Sequence, residues 1–192
     1  ANIMTSLPRA LPGLLLFATM SLPAADAAEA SNPLLTPSPL PFGYPAFDRV
    51  RDEHYAPAFT QGMAEHLREV EAIAKNPAEP TFENTLVALE RSGELLGRVQ
   101  RLFFNLVGAH GNDALRAVEK DMAPKLSAHS DAIRLNPVLF ARVDRLHAKI
   151  AQLGLDPESR RLLDRTHRDF VRSGARLGEA DKTRLKALNA EI

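Results

Sequence analysis

Six histidines, His54, His66, His110, His129, His147 and His167, are the first residues to test for chemistry, because an imidazole can hold a metal or carry a proton near neutrality. A helical zinc pair needs two of them at i and i+4, as in His-Glu-x-x-His, so that successive turns aim both rings at one ion. No two here lie closer than twelve residues apart. An all-histidine site would have to be assembled in space, and ordinary surface or core histidines are the expectation. Carboxylates are numerous, as in Glu65 with Glu69 and Asp52 with Glu53. General acid–base work needs a buried, pKa-shifted member, whereas these fall at solvated helix positions.

Nucleophilic chemistry fares no better. The chain has no cysteine, which excludes disulfides and thiol catalysis and suits oxidising and reducing surroundings equally. No serine sits in a Gly-x-Ser-x-Gly elbow, and neither common phosphate loop is present. Arg172, Arg176, Lys182, Arg184 and Lys186 form a basic run near the end. Acidic residues interrupt it and no aromatic stacking platform accompanies it, so a solvated helix face is expected and no nucleic-acid partner. The residues thus nominate no catalytic, cofactor-binding or metal-ligating side chain in this segment. They specify a scaffold.

The elements of that scaffold are helices. Across the 192 residues, 24 basic side chains balance 24 acidic ones, and 45% of residues are hydrophobic, an ordinary globular composition. Charge is uneven along the chain, with ten acidic and five basic residues in 48–96 but twelve basic and eight acidic in 140–192. Amphipathic helices with solvated faces account for that. Tyr55, Phe59, Met63, Leu67, Val70 and Ala74 recur at three and four residues, predicting a helix that ends near Asn76-Pro77. In "NPAEPTFENTLVALERSG" (76–93), Thr81 is a good N-cap, with Glu83 and Asn84 in the first turn. An apolar stripe from Phe82 to Leu106 then predicts one helix of about 26 residues reaching Gly108. Gly93 and Gly97 would weaken it and leave a flat patch for a neighbouring helix. Asn112 or Asp113 opens the next helix, with a kink or break at Pro124. Asn136-Pro137 starts another that Gly154 stops, Asp156-Pro157 repeats the device, and a last helix begins near Gly178 and runs through Leu185 and Leu188 to Ile192. No segment reads as a strand. The predicted fold class is all-α.

Ahead of the helices stand two different segments. Residues 1–27 carry Arg9, an apolar stretch from Leu11 to Leu22, and the small-residue run Ala25-Asp26-Ala27. That is the order of a secretory signal peptide, expected to be cleaved after Ala27 and to imply export to a bacterial periplasm. The apolar stretch is short and broken by Pro12 and Gly13, so no stable membrane anchoring is expected. Residues 28–51 read as an extended proline-rich arm, since eight of the fourteen prolines fall in 1–45. Its Leu34, Leu35, Leu40, Phe42 and Tyr44 are too apolar for a solvated linker, so it should lie along a surface. Residues 52–192 make up the helical part, and "DKTRLKALNAEI" stops with its apolar repeat still running, as expected of a lobe truncated before a further domain.

Read as a whole, the chain resembles the N-terminal region of the thimet oligopeptidase family of zinc metallopeptidases, most closely its bacterial peptidyl-dipeptidase and oligopeptidase A branch. "NPLL" at 32–35, "PF" at 41–42, "EHYAPAF" at 53–59, "NPAEPTFENTLVALERSG" at 76–93, "FFNL" at 103–106 and "FVRSGARL" at 170–177 carry the likeness in family order. The resemblance implies a multi-helix N-terminal lobe of a two-lobed, mostly helical, channel-type peptidase that hydrolyses oligopeptides. It implies zinc in a distal catalytic lobe, on the histidines of His-Glu-x-x-His and a later glutamate, with the motif's own glutamate activating the metal-bound water. None of those residues lies among these positions, so the segment alone is expected to be inactive, with the C-terminal catalytic lobe as its partner. A stand-alone, non-catalytic helical module that binds peptides or a protein is the alternative.

Overall fold

A computed structural model describes residues 32–191. The predicted signal peptide, residues 1–27, and the first residues of the arm lie outside that range. Among the described residues there is no strand, and the chain is all-α as its periodicity predicted.

The arm runs from Asn32 to a short 3-10 turn, Asp52–His54, that leads into α1. Asn32 holds its start by donating from Nδ2 to the His54 carbonyl at 2.8 Å, while its Oδ1 accepts the Leu34 amide at 3.0 Å. Leu34 is thereby buried in the core, and Leu35 and Val50 pack beside it. The apolar arm does lie on a surface, that of its own helices. Its middle does not follow suit, since Leu40, Phe42, Tyr44 and Phe47 are exposed around a turn at Pro41–Gly43.

Helix α1, Tyr55–Ala74, places Pro57 in its first turn, where a missing N–H costs nothing. It spans both hydrophobic clusters of the molecule. Its first half buries Tyr55 and Phe59 against Phe103 of α3, with ring centroids 5.1 Å apart in each pair and edge-to-face geometry. Burial pushes the Tyr55 phenol up to about 12, with Asp52 adding to the effect, so the ring packs as a neutral group. The second half gives Val70, Ile73 and Ala74 to a cluster completed by Leu86, Leu139 and Phe170. Leu67, which shares the stripe's spacing, is exposed, because the helix turns that side away from both clusters.

The expected 26-residue helix is two helices. A π-helical turn, Phe82–Val87, continues as α2, Ala88–Arg91, and the chain then breaks at Ser92-Gly93 before α3, Glu94–His110. Gly93 sits at φ 72°, a left-handed conformation that ends a helix and that glycine adopts without a Cβ clash. Helix α1 does approach the Gly93–Gly97 stretch closely: a Cβ on Gly62 of α1 would stand 3.0 Å from the Cα of Leu96, and one on Gly93 2.7 Å from the His66 ring of α1.

Helix α4, Asp113–Arg134, is capped by the Asn112 side chain and runs through Pro124 rather than breaking there. Helix α5, Pro137–Ala148, ends well before Gly154, which instead shapes the following turn at φ 62°. Helix α6, Pro157–Arg172, is capped by Asp156, and α7, Glu179–Ala190, begins after Gly178 as expected. Helix α7 lies on α4 through polar bonds: Ser127 Oγ donates to the Asn189 carbonyl at 2.9 Å and Asn189 Nδ2 to Asp131 at 2.8 Å. Its Leu188 is half exposed, while Lys182, expected on a solvated face, is buried and donates to Glu179 at 3.2 Å.

Candidate functional site

Two pairs of histidines that no sequence spacing connects are brought together by the fold. His66 on α1 and His129 on α4 meet with Nδ1 of the first 3.0 Å from Nε2 of the second. On its other side His66 Nε2 lies 3.2 Å from Ser92 Oγ, at the break between α2 and α3. Ser92 donates its hydroxyl hydrogen to the Leu89 carbonyl at 2.7 Å, at the end of α2, a carbonyl that also accepts the Ser92 amide at 3.2 Å. The hydroxyl oxygen is left to accept from His66 Nε2–H, so His66 Nδ1 is a lone pair and accepts from His129 Nε2–H. Donation therefore runs from His129 through His66 and Ser92 to Leu89.

That direction decides the chemistry. A serine nucleophile needs a base that accepts its proton, and here the serine proton points to a carbonyl while the imidazole donates. The trio closes a helix break and is not a catalytic triad. Burial lowers the pKa of both rings, His129 to about 4 with the neighbouring His66 contributing, while Glu69 partly offsets the effect on His66. Glu69, expected at a solvated position, in fact accepts the Gly93 amide at 2.7 Å.

A cleft of about 580 Å³ opens beside the trio, lined by α2, α3, α4 and α6, with Arg134, Arg165 and Asp169 among its walls. A second hollow of about 690 Å³ reaches the start of α6 and shares Glu90, Leu162 and Arg165 with the first.

His147 and His167 form the other pair, stacked at 3.8 Å between ring centroids and nearly parallel. His167 Nε2 pairs with Asp144 at 2.9 Å and His147 Nε2 with Asp164 at 3.1 Å, and each aspartate also meets an arginine. These bonds hold both carboxyls below their usual range, His167 being the main cause for Asp144 and His147 for Asp164. His54 accepts the Arg51 amide, and His110 is exposed at the end of α3. Among the described residues no three ligating side chains converge.

The segment "NPAEPTFENTLVALERSG" gains its explanation from a residue the sequence gave no reason to single out. Thr81 and Asn84 cap each other, Thr81 N–H to Asn84 Oδ1 at 2.8 Å and Asn84 N–H to Thr81 Oγ at 3.0 Å. The buried guanidinium of Arg142 on α5 then donates to Asn84 Oδ1, to the Asn76 carbonyl and to the Ala78 carbonyl. Of the basic run, Arg172, Arg184 and Lys186 are exposed, Arg176 pairs with Asp144, and Lys182 is buried.

No family model matches the chain. Curated relatives do: a dipeptidyl carboxypeptidase of Salmonella typhimurium is 50% identical over 162 residues, and one of Escherichia coli is 47% identical over 160. These alignments cover 84% and 83% of the chain but only 24% of either relative. The oligopeptidase A of Escherichia coli is 27% identical over 154 residues, covering 80% of the chain and 22% of that relative. The relatives it matches are members of the thimet oligopeptidase family. The chain spans about a quarter of the length of the curated relatives it matches. The residues that carried the family resemblance converge in the core. Leu34, Tyr55, Phe59 and Phe103, from three separate motifs, share one cluster, and Leu86, Phe170 and Ala175, from two others, share the second.

Proposed function

We propose that this chain is the helical, channel-wall region of an exported zinc-dependent peptidase that trims short peptides. Residues 1–27 direct it to the periplasm, 28–51 form the arm, and 52–192 form the lobe. The observation that carries the reading is the 50% identity to a dipeptidyl carboxypeptidase over most of the chain. That this identity is nearly twice the 27% shared with oligopeptidase A favours release of dipeptides from the C-terminus over internal cleavage. Motif residues that pack the core support a role in shape and docking, with the reaction centre and its zinc on a further lobe. The alternative of a stand-alone binding module gains nothing from relatives that are all named as peptidases.

The coding sequence past the codon for Ile192 tests this reading. A frame that continues for several hundred codons and includes His-Glu-x-x-His is expected, in proportion to the share of the relatives that the chain spans. A stop codon close behind would remove the peptidase reading.

A further inference from the structure

The break at Ser92-Gly93 is held by groups that titrate. A Cβ on Gly93 would stand 2.7 Å from the His66 ring, so the break presses directly on the imidazole. His66 belongs to α1 and His129 to α4, and their 3.0 Å bond ties both helices to the hinge between α2 and α3. The donor order leaves His129 Nδ1 as a lone pair, and that atom is buried without a hydrogen-bond partner. At neutral pH, where burial keeps both rings uncharged, that order gives each ring one tautomer.

We propose that this pair is a proton-operated latch on the cleft: neutral imidazoles hold the α2–α3 break against α1 and α4, and proton uptake releases it. A proton on His66 Nδ1 removes the acceptor for His129 Nε2–H, and the His129 proton can move away only to Nδ1, a buried atom with no partner. On His129 Nδ1 it creates a buried cation with no acceptor beside it. The surrounding charges do not compensate. On α1, Glu69 is committed to the Gly93 amide; on α6, Asp169 faces Arg165 at 3.8 Å. Glu90 on α2 and Arg134 on α4 also line the cleft, while α3 presents the uncharged Leu96, Gly97 and Gln100.

The sign follows from the depressed values. Above about 6.5, the ordinary imidazole value, both states are neutral and the latch is fully closed. As pH falls from there towards about 4, the released state takes up protons first and closure weakens. Below about 4 this group adds no further change.

Amide hydrogen exchange of the full 192-residue chain tests the latch, followed by NMR between about pH 7.5 and pH 5 and corrected for the intrinsic rate. Protection at Gly93 should fall about 30-fold, the ratio that a shift from 6.5 to about 4 gives at pH 5, while amides of Val143 and Leu163 hold. In His129→Gln, which keeps a side-chain N–H donor and leaves His66 as the one titrating ring of the pair, the fall in protection at Gly93 should be clearly smaller than in the unaltered protein. Ring 15N shifts of the unaltered protein give a second readout, in which both Nε2 atoms carry the proton at neutral pH. Three results would overturn the latch: parallel loss at the core amides, the same pH slope in His129→Gln, or either ring titrating near 6.5.

Discussion

The Arg142 guanidinium donates to Asn84 Oδ1 at 2.9 Å, joining α5 to the cap of a helical segment 58 residues earlier in the chain. Two further bonds, to the carbonyls of Asn76 at 2.8 Å and Ala78 at 3.1 Å, let one buried side chain fix the whole loop between α1 and the π-helical turn. Replacing Arg142 with methionine removes all three bonds and takes this donor from the Asn76 and Ala78 carbonyls, while Asn84 Oδ1 keeps the Thr81 amide. Hydrogen bonds from a charged donor contribute about 1.5–3 kcal/mol each, and partial access of water to the loop makes up some of the loss. Urea denaturation of Arg142→Met should show a loss of about 2–4 kcal/mol. Arg142→Lys should recover less than half of it, because a lysine cannot reproduce the planar fork.

Two glycines on helices should respond in opposite directions to alanine. At Gly62 the new methyl would meet the backbone of Leu96 at 3.0 Å, and overpacking of that kind costs about 1–3 kcal/mol. At Gly108, inside α3, nothing lies within 4 Å, so the better helix propensity of alanine should add about 0.5–1 kcal/mol. Thermal melts of the two variants check the contrast, which would fail if both moved the same way.

Acid should weaken the stacked-histidine end of the molecule through Asp144. Its carboxyl is held below the ordinary value by the bond from His167 and then by Arg176, so its folded pKa is depressed. A depressed carboxyl contributes stability above its unfolded value of 3.8, and the contribution is lost as pH falls through the folded value. The Asp144 side chain is 47% exposed, which limits the effect to at most about 1 kcal/mol. Asp144→Asn should therefore flatten the acid limb of a stability–pH curve below about pH 4 and lower the plateau slightly at neutral pH. An unchanged acid limb would show that the ion pairs with His167 and Arg176 contribute nothing.

Helix starts were legible because their caps are local. Thr81, Asn112, Asn136 and Asp156 each accept from amides two or three residues on, a pattern that needs no knowledge of the rest of the fold. The break at Gly93 was not, since a glycine within an apolar stripe fits either a weakened helix or a left-handed stop. What settles it is the His66 ring and the Glu69 carboxylate, both from another helix. The same holds for His66 with His129, 63 residues apart, and for Arg142, which at sequence level is one more cation on an amphipathic helix. Lys182, read with the basic run as solvated, is buried instead, and α7 is tied to α4 by the polar bonds of Ser127, Asp131 and Asn189 that no local pattern announces.

His66, His129 and Ser92 form a hydrogen-bonded chain whose donors point the wrong way for nucleophilic attack, so this segment should not cleave peptides by that route. Ser92→Ala should leave any peptidase activity of the complete gene product within about two-fold, and it should raise hydrogen exchange at Gly93 through loss of the cap to Leu89. A hundred-fold loss of turnover with unchanged folding would instead make Ser92 part of the reaction centre.

The most direct measurement is hydrolysis of an N-blocked tetrapeptide by the complete gene product, with products identified by mass spectrometry before and after removal of metal by a chelator. The account predicts release of the C-terminal dipeptide, loss of activity on chelation, recovery on adding zinc, and no cleavage by residues 1–192 alone. Hydrolysis by the isolated segment, or a complete product with no metal-dependent peptidase activity, would contradict it.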